Sequence, residues 1–284
     1  MHTKTNQIKL GVVIPVKSKR VAKNWDIVCS CLKSTLSSLL SQTNDAYCVA
    51  VVGHECPYFL KNDAIIKQTF GQKGSTVLFV DAMDVSPPAT KGIPGATRQL
   101  LYEKDRCRKI AKGIAMLDAN DVNLTYYFAL DADDLVSREF VNDLAMHLSS
   151  DSAAIIQVGY FFYNQHNRIR ITNEFSTYCG SSAVLPKSLF SLPANPVLAK
   201  SSDTPFGKIS HVHMMQYLEK NQVNIYIPSK PYLMYVLGTG ENISSHYCSA
   251  LLVRVKRWAA KRLLTKAIDS QIINEFTLTQ VQCS

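Results

Sequence analysis

Short apolar runs alternate with amphipathic stretches through the first half of the chain. Residues 9–16 (KLGVVIPV) are rich in β-branched side chains and predict a buried strand. Residues 25–42 place Val28, Cys31, Leu32, Leu36, Leu39 and Leu40 at helical spacing. The runs AYCVAVVGH and STVLFVDAM predict the second and third strands, with Asp81 near the end of the third. Residues 84–99 (DVSPPATKGIPGATRQ) carry the Gly and Pro of a loop. The stretch YEKDRCRKIAKGIAMLDAN predicts a helix with a basic face, and LTYYFALDADD a fourth strand. A helix opened by Ser137, with Glu139 in its first turn, is expected next.

Strands alternating with helices imply a parallel α/β sheet with helices on both faces. The second half is more mixed. AAIIQVGYFFYN and RIRITNEF read as a hairpin, and CGSSAVLPKSLF as a strand leading into a short helix. SHVHMMQYLEKNQ reads as a helix and VNIYIPSKPYLMYVLG as extended chain. The 284 residues, 46% hydrophobic and 19% charged, are enough for one large globular domain.

A formal net charge of +9 favours anionic partners. The eight cysteines lack the paired C-x-x-C spacing of a zinc site and read as reduced thiols of a cytoplasmic protein. No segment offers about 20 uninterrupted apolar residues, the length a membrane-crossing helix needs.

The chemistry concentrates at residues 125–137, TYYFALDADDLVS. Here an apolar strand runs into Asp131, Asp133 and Asp134. Adjacent carboxylates repel unless a cation or hydrogen-bond donors compensate them. Ligands of parallel α/β sheets bind beyond the carboxyl ends of the strands, where this cluster falls. Hard cations such as Mn2+ or Mg2+ prefer carboxylate oxygens and often bind through one or two of them plus phosphate. A solvated turn, with Asp134 capping the next helix, is the simpler alternative.

Together, VVIPVKSK, the helix RCRKIAKGI, the strand YYFALDADD and CGSSAVLPKSLF resemble the GT-A fold glycosyltransferases of the family 2 type. The similarity covers roughly residues 9–245. It implies a Rossmann-type nucleotide-binding half at about 1–134 and a mixed acceptor half at about 135–249; residues 250–284 read separately, from their own pattern, as a basic amphipathic tail. It also implies a UDP- or GDP-sugar donor, a saccharide or lipid-linked acceptor, and a role in cell-surface polysaccharide or glycolipid synthesis, with inversion at the anomeric carbon. By the same resemblance Asp131 contacts the ribose or the metal, and Asp133 binds the cation bridging the diphosphate. Pro15 and Lys17 lie beside the nucleotide, Arg106 or Arg108 contacts base or phosphate, and a late histidine, His246, joins the metal.

The chain departs from that pattern twice. Where the family has an acidic pair reading the base, VVGHEC offers His54 or Glu55, with Asp81 a further candidate. Where the family has its catalytic Asp, ISHVHMMQYLEK offers His211, with His213 two residues on. An unperturbed histidine titrates near 6.5 and serves as a general base. Asp203 is the alternative base, and Glu241 and Asn242 are weaker polar candidates.

Residues 250–269 carry six basic side chains and one acid, with Leu251, Leu252, Val255, Trp258, Ala259 and Leu263 able to share one helical side. Such a helix either lies on an anionic membrane surface, at the inner face, or packs on the domain. No nucleic-acid partner is expected, since no stacked-aromatic module is present. Two rivals remain. A nucleotidyltransferase would carry a Gly-rich loop after the first strand, which PVKSKRVAKNW lacks. A binding module without catalysis is the other.

Overall fold

A computed structural model describes residues 8–62, 68, 70–72, 74–241 and 265–278. The first half runs β1 (Leu10–Pro15), α1 (Trp25–Leu40), β2 (Tyr47–Gly53), α2 (Tyr58–Asn62), β3 (Val77–Asp81), α3 (Gly95–Asn120) and β4 (Tyr126–Ala129). β1 pairs in parallel with β2 and β4, and β2 with β3. This is the expected α/β sheet.

Alternation along the strands covers both faces. Leu10, Val12 and Ile14 pack with Val28, Leu32, Leu36 and Leu39 of α1. Val13, Ala50 and Val52 pack with Ile110, Ile114 and Leu117 of α3 on the other side. Each Val, Leu or Ile side chain so buried contributes about 1.5–3 kcal/mol relative to exposure. Asn24 starts α1: its side chain accepts from the amides of Asp26 and Ile27.

The second half continues with β5 (Leu135–Val136), α4 (Phe140–His147), β6 (Ser152–Ile155), β7 (Gly159–Tyr163), β8 (Arg168–Thr172), α5 (Phe175–Tyr178), β9 (Ala183–Pro186), α6 (Pro205–Lys208), α7 (Met214–Lys220), β10 (Asn224–Tyr226), β11 (Leu233–Leu237), β12 (Lys266–Ala267) and α8 (Ser270–Phe276). β9, β6 and β10 extend the first sheet to seven strands, in the order β10-β6-β9-β4-β1-β2-β3. A second sheet has the order β12-β8-β7-β11-β5.

Several expectations change in detail. α3 starts at Gly95, inside the expected loop 84–99. Pro94 stands at its N-cap, and no further proline interrupts the helix. The fourth strand ends at Ala129, because the chain turns there: the Asp134 amide bonds the Asp131 carbonyl at 3.1 Å. The run 153–164 splits between the sheets, β6 in one and β7 in the other, and β7 and β8 form the expected hairpin.

The helix expected from Ser137 starts at Phe140, after a Glu139 whose side chain makes no cap bond. The one expected over 210–222 is a 3-10 turn at His211–His213 followed by α7.

The C-terminal expectation is corrected in part. Residues 250–264, with most of the basic stripe, lie outside the described residues. Lys266 and Ala267 are strand rather than helix, paired with β8. Asp269 then caps α8 by accepting from the Ile272 amide at 2.9 Å. Ile272 and Phe276 bury against the second sheet. Among the described residues, no helix is long and apolar enough to cross a membrane.

Candidate active site

Parallel neighbours release their chains at the same edge, so the ends of β1 and β4 open side by side. Between them lies a cavity of about 290 Å3, bordered also by α1, by α3, by the chain around Gly180 and by His211. Pro15, Lys17, Arg106, Asp131, Asp133 and His211 line it together. These six residues span almost 200 positions in sequence, and the fold brings them to one space.

The acidic turn is held from several sides. Thr35 of α1 donates to the Ala132 carbonyl at 3.0 Å. Arg106 Nε donates to Asp131 Oδ1 at 2.6 Å, with side chains 20% and 28% exposed. Burial lowers the Arg106 pKa, but pairing with Asp131 outweighs it and the net shift is upward. Arg106 Nη2 is buried and makes no hydrogen bond among the described residues.

Burial and the neighbouring Asp131 push Asp133 up to about 7, against the pull of Lys17. Asp134 is fully buried, and burial, then Asp133 and Asp131, hold it well above the carboxylate range. It does not cap α4. Its Oδ2 instead accepts from Ser181 Oγ at 2.7 Å and from Cys179 Sγ at 3.1 Å.

Lys17 Nζ donates to the Glu241 carbonyl at 2.5 Å and to Glu241 Oε2 at 2.9 Å. Glu241, also on the cavity wall, accepts from the Asn24 amide and so ties α1 to this corner. Lys109 reaches the Val16 carbonyl at 2.8 Å and Asp105 at 2.5 Å, pinning the chain after β1 to α3. Burial depresses Lys109, while Asp105 opposes the shift.

His211 is half-buried, and burial, then Arg106, lower its pKa; a hydrogen bond with the Thr177 main chain pulls the other way. Its imidazole is therefore neutral at pH 7 and able to accept a proton.

Other candidates lie outside the cavity wall. Glu55 accepts from the Lys19 amide at 2.8 Å, closing the loop after β1. His54 Nε2 is 2.9 Å from the Val85 carbonyl. Asp81 is exposed and accepts from the Met83 amide in a tight turn. Arg108 points to Asp105, Asp84 and the Ala82 carbonyl. Asp203 accepts from the Lys200 amide at 2.7 Å, and His213 is exposed. His246 and Asn242 fall outside the described residues.

The choice between Arg106 and Arg108 was legible in the helical phase. Gln99, Tyr102, Glu103, Arg106 and Lys109 follow i, i+3, i+4, i+7, i+10 and all line the cavity. Arg108 lies about 200° around the helix from Arg106. Gly180 and Tyr178 were missed as site residues. The small-residue run at 179–182, just before an apolar strand, was the available signal for close backbone approach.

Among the described residues, no group of three or more His, Cys, Asp or Glu converges in a way that could hold a metal ion. Asp131 and Asp133 do border one cavity, and burial first, then the charge of Asp131, raises Asp133. That donor set fits a hard cation held by one or two carboxylates and completed by phosphate oxygens.

No family model matches the chain, and the curated proteins give no match. Solved structures similar to it include S. aureus TarS 1–349 (TM-score 0.42, 14% identity, 81% of this chain and 60% of that one). A second is S. aureus TarS (0.44, 14%, 94% and 41%). A third is the glycosyltransferase GlyE of Streptococcus pneumoniae TIGR4 (0.36, 9%, 94% and 62%). The chain thus spans less than two thirds of each of these chains, and likenesses this distant carry no argument about function.

Proposed function

We propose that the chain is a glycosyltransferase, moving a sugar from a nucleotide-sugar donor to an acceptor hydroxyl. The observation that supports this best is the convergence of the acidic turn, the cationic side chains of Lys17, Arg106 and Lys109 and a neutral imidazole on one cavity. A diphosphate leaving group carries charge that must be neutralised as its bond to the sugar breaks. Arg106 supplies donors in the fork geometry that suits phosphate oxygens, and its Nη2 has no hydrogen-bond partner among the described residues. Lys17 adds a second cation, oriented by Glu241.

In this reading Asp131 and Asp133 hold Mn2+ or Mg2+, which supplies Lewis-acid neutralisation of the diphosphate. His211 takes the proton of the acceptor hydroxyl. It is favoured over Asp203 because it borders the cavity and is neutral at pH 7. Attack from the face opposite the leaving group inverts the anomeric centre in one displacement. A UDP- or GDP-linked donor and a saccharide or lipid-linked acceptor belong to this reading, as does membrane contact through residues 250–269.

The test is a thermal-shift panel of UDP, GDP, UTP and GTP, each with and without Mn2+. Stabilisation by a nucleoside diphosphate that depends on Mn2+ is expected. A response to triphosphates alone would favour nucleotidyl transfer, and no response to any of the four would overturn both readings.

A further inference from the structure

We propose that Ser181, braced by the carboxyl group of Asp134, positions Asp131, so that the segment Cys179–Ser181 sets the geometry of the acidic turn. The inference deepens the transferase reading and rests on it for its consequence, though not for its geometry. Ser181 Oγ accepts the Asp131 amide at 2.8 Å and donates its own proton to Asp134 Oδ2 at 2.7 Å. A hydroxyl has one proton, so committing it to Asp134 leaves only lone pairs facing the Asp131 amide. Cys179 Sγ donates to the same Asp134 oxygen and fixes the carboxyl from a second side.

The Asp134 amide also bonds the Asp131 carbonyl at 3.1 Å. Asp134 therefore holds both main-chain polar groups of Asp131: the carbonyl directly, the amide through Ser181. From that fixed main chain the Asp131 carboxylate reaches Arg106. Ser181 and Asp134 are both fully buried, so water is not at hand to replace a lost bond. Neither residue lines the cavity, so both act through Asp131 and are positioning residues.

Three variants of the full chain test this: Ser181→Ala, Asp134→Leu and Asp134→Asn. Asn keeps an acceptor oxygen for the Ser181 hydroxyl, whereas Leu removes it. Amide hydrogen exchange at Asp131 is measured in each, together with calorimetric binding of UDP and GDP in the presence of Mn2+. Ser181→Ala and Asp134→Leu are expected to speed Asp131 exchange and to weaken nucleotide binding about 10–100-fold, the usual effect of losing a partner that orients a ligating group. Asp134→Asn is expected to stay near wild type in both.

Wild-type Asp131 exchange in Ser181→Ala overturns the proposal, as does an Asp134→Asn protein as impaired as Asp134→Leu. Should Asp134→Leu fail to fold, Ser181→Ala removes the same link and decides by itself. A wild-type chain that binds neither nucleotide overturns the transferase reading instead, and the exchange comparison still decides whether Ser181 positions Asp131.

Discussion

Arg106 Nε stands 2.6 Å from Asp131 Oδ1, so a guanidinium pairs with the first carboxylate of the turn. A cation binding at Asp131 competes with that pairing, and a phosphate attracts the same guanidinium. Opposite effects follow from Arg106→Gln. Mn2+ alone should bind more tightly, because Asp131 is released. UDP or GDP in the presence of Mn2+ should bind more weakly, by about 1.5–3 kcal/mol for a lost charge-assisted hydrogen bond. Calorimetry on the two ligands separately checks this, and weakening of both would show that Arg106 only holds the turn in shape.

Gly180 gives a way to move Arg106 without deleting it. A Cβ at this position would lie 2.7 Å from Arg106 Nη2 and 3.5 Å from Asp131 Oδ2. The clash is with the far end of a flexible side chain, so the fold can absorb it cheaply. Gly180→Ala should therefore leave the melting temperature within about 2–4 °C of wild type, the shift produced by roughly 1 kcal/mol in a chain of this order of size. Affinity for UDP or GDP with Mn2+ should fall as it does in Arg106→Gln. Unchanged affinity at unchanged stability would mean that the guanidinium has room to relax while keeping its role.

These two positions also show what the sequence makes legible. The strand–helix alternation of residues 9–134 is written in side-chain periodicity, because the central strands carry core on both faces and α1 and α3 each bury one stripe. The acidic turn was readable from its apolar lead-in, and Arg106 from its place on the stripe that continues through Ile110 and Ile114. The roles of Ser181 and Asp134 were not readable. They depend on β9 lying antiparallel to β4, which brings residue 181 against residue 131, and no local pattern encodes that pairing.

The division of 153–164 between two sheets is hidden for the same reason. A strand signal reports that a run is extended, not which neighbour it will find. Asp81 and Asp203 show the converse: their carboxylates bond main-chain amides two or three residues away, a local use of an acidic side chain that a turn favours, while Glu55 bonds the Lys19 amide of a separate loop.

The pH dependence of transfer should expose His211. Burial, then the charge on Arg106, lower its pKa below the ordinary 6.5. A general base works in its neutral form, so activity is retained at pH 7 and lost as pH falls through this lowered pKa. The acid limb of kcat/KM should therefore lie below pH 6.5. In Arg106→Gln the limb should move up in pH, since one of the two causes of the shift is gone. In His211→Gln it should vanish along with most of the rate, about 100- to 10,000-fold for a lost general base. A limb that persists unchanged in His211→Gln would assign the proton to another group.

Gly113 sets how closely α3, and with it Arg106, approaches the sheet. A Cβ there would lie 2.5 Å from Val13 Cγ1 and 2.7 Å from Val52 Cγ2, both fully buried. In an exposed helix Gly→Ala stabilises by roughly 0.5–1 kcal/mol. Here the added methyl overfills a packed interface, which costs about 1–3 kcal/mol. The net for Gly113→Ala is destabilisation, readable in a denaturant titration, with the helix displaced from β1 and β2. Val13→Ala opens space at the same contact and by itself loses apolar burial. If steric crowding is the cause, Gly113→Ala combined with Val13→Ala should be more stable than the sum of the two losses, by about 0.5–3 kcal/mol for residues in contact. Strict additivity would mean that Gly113 is tolerated at the interface rather than required by it.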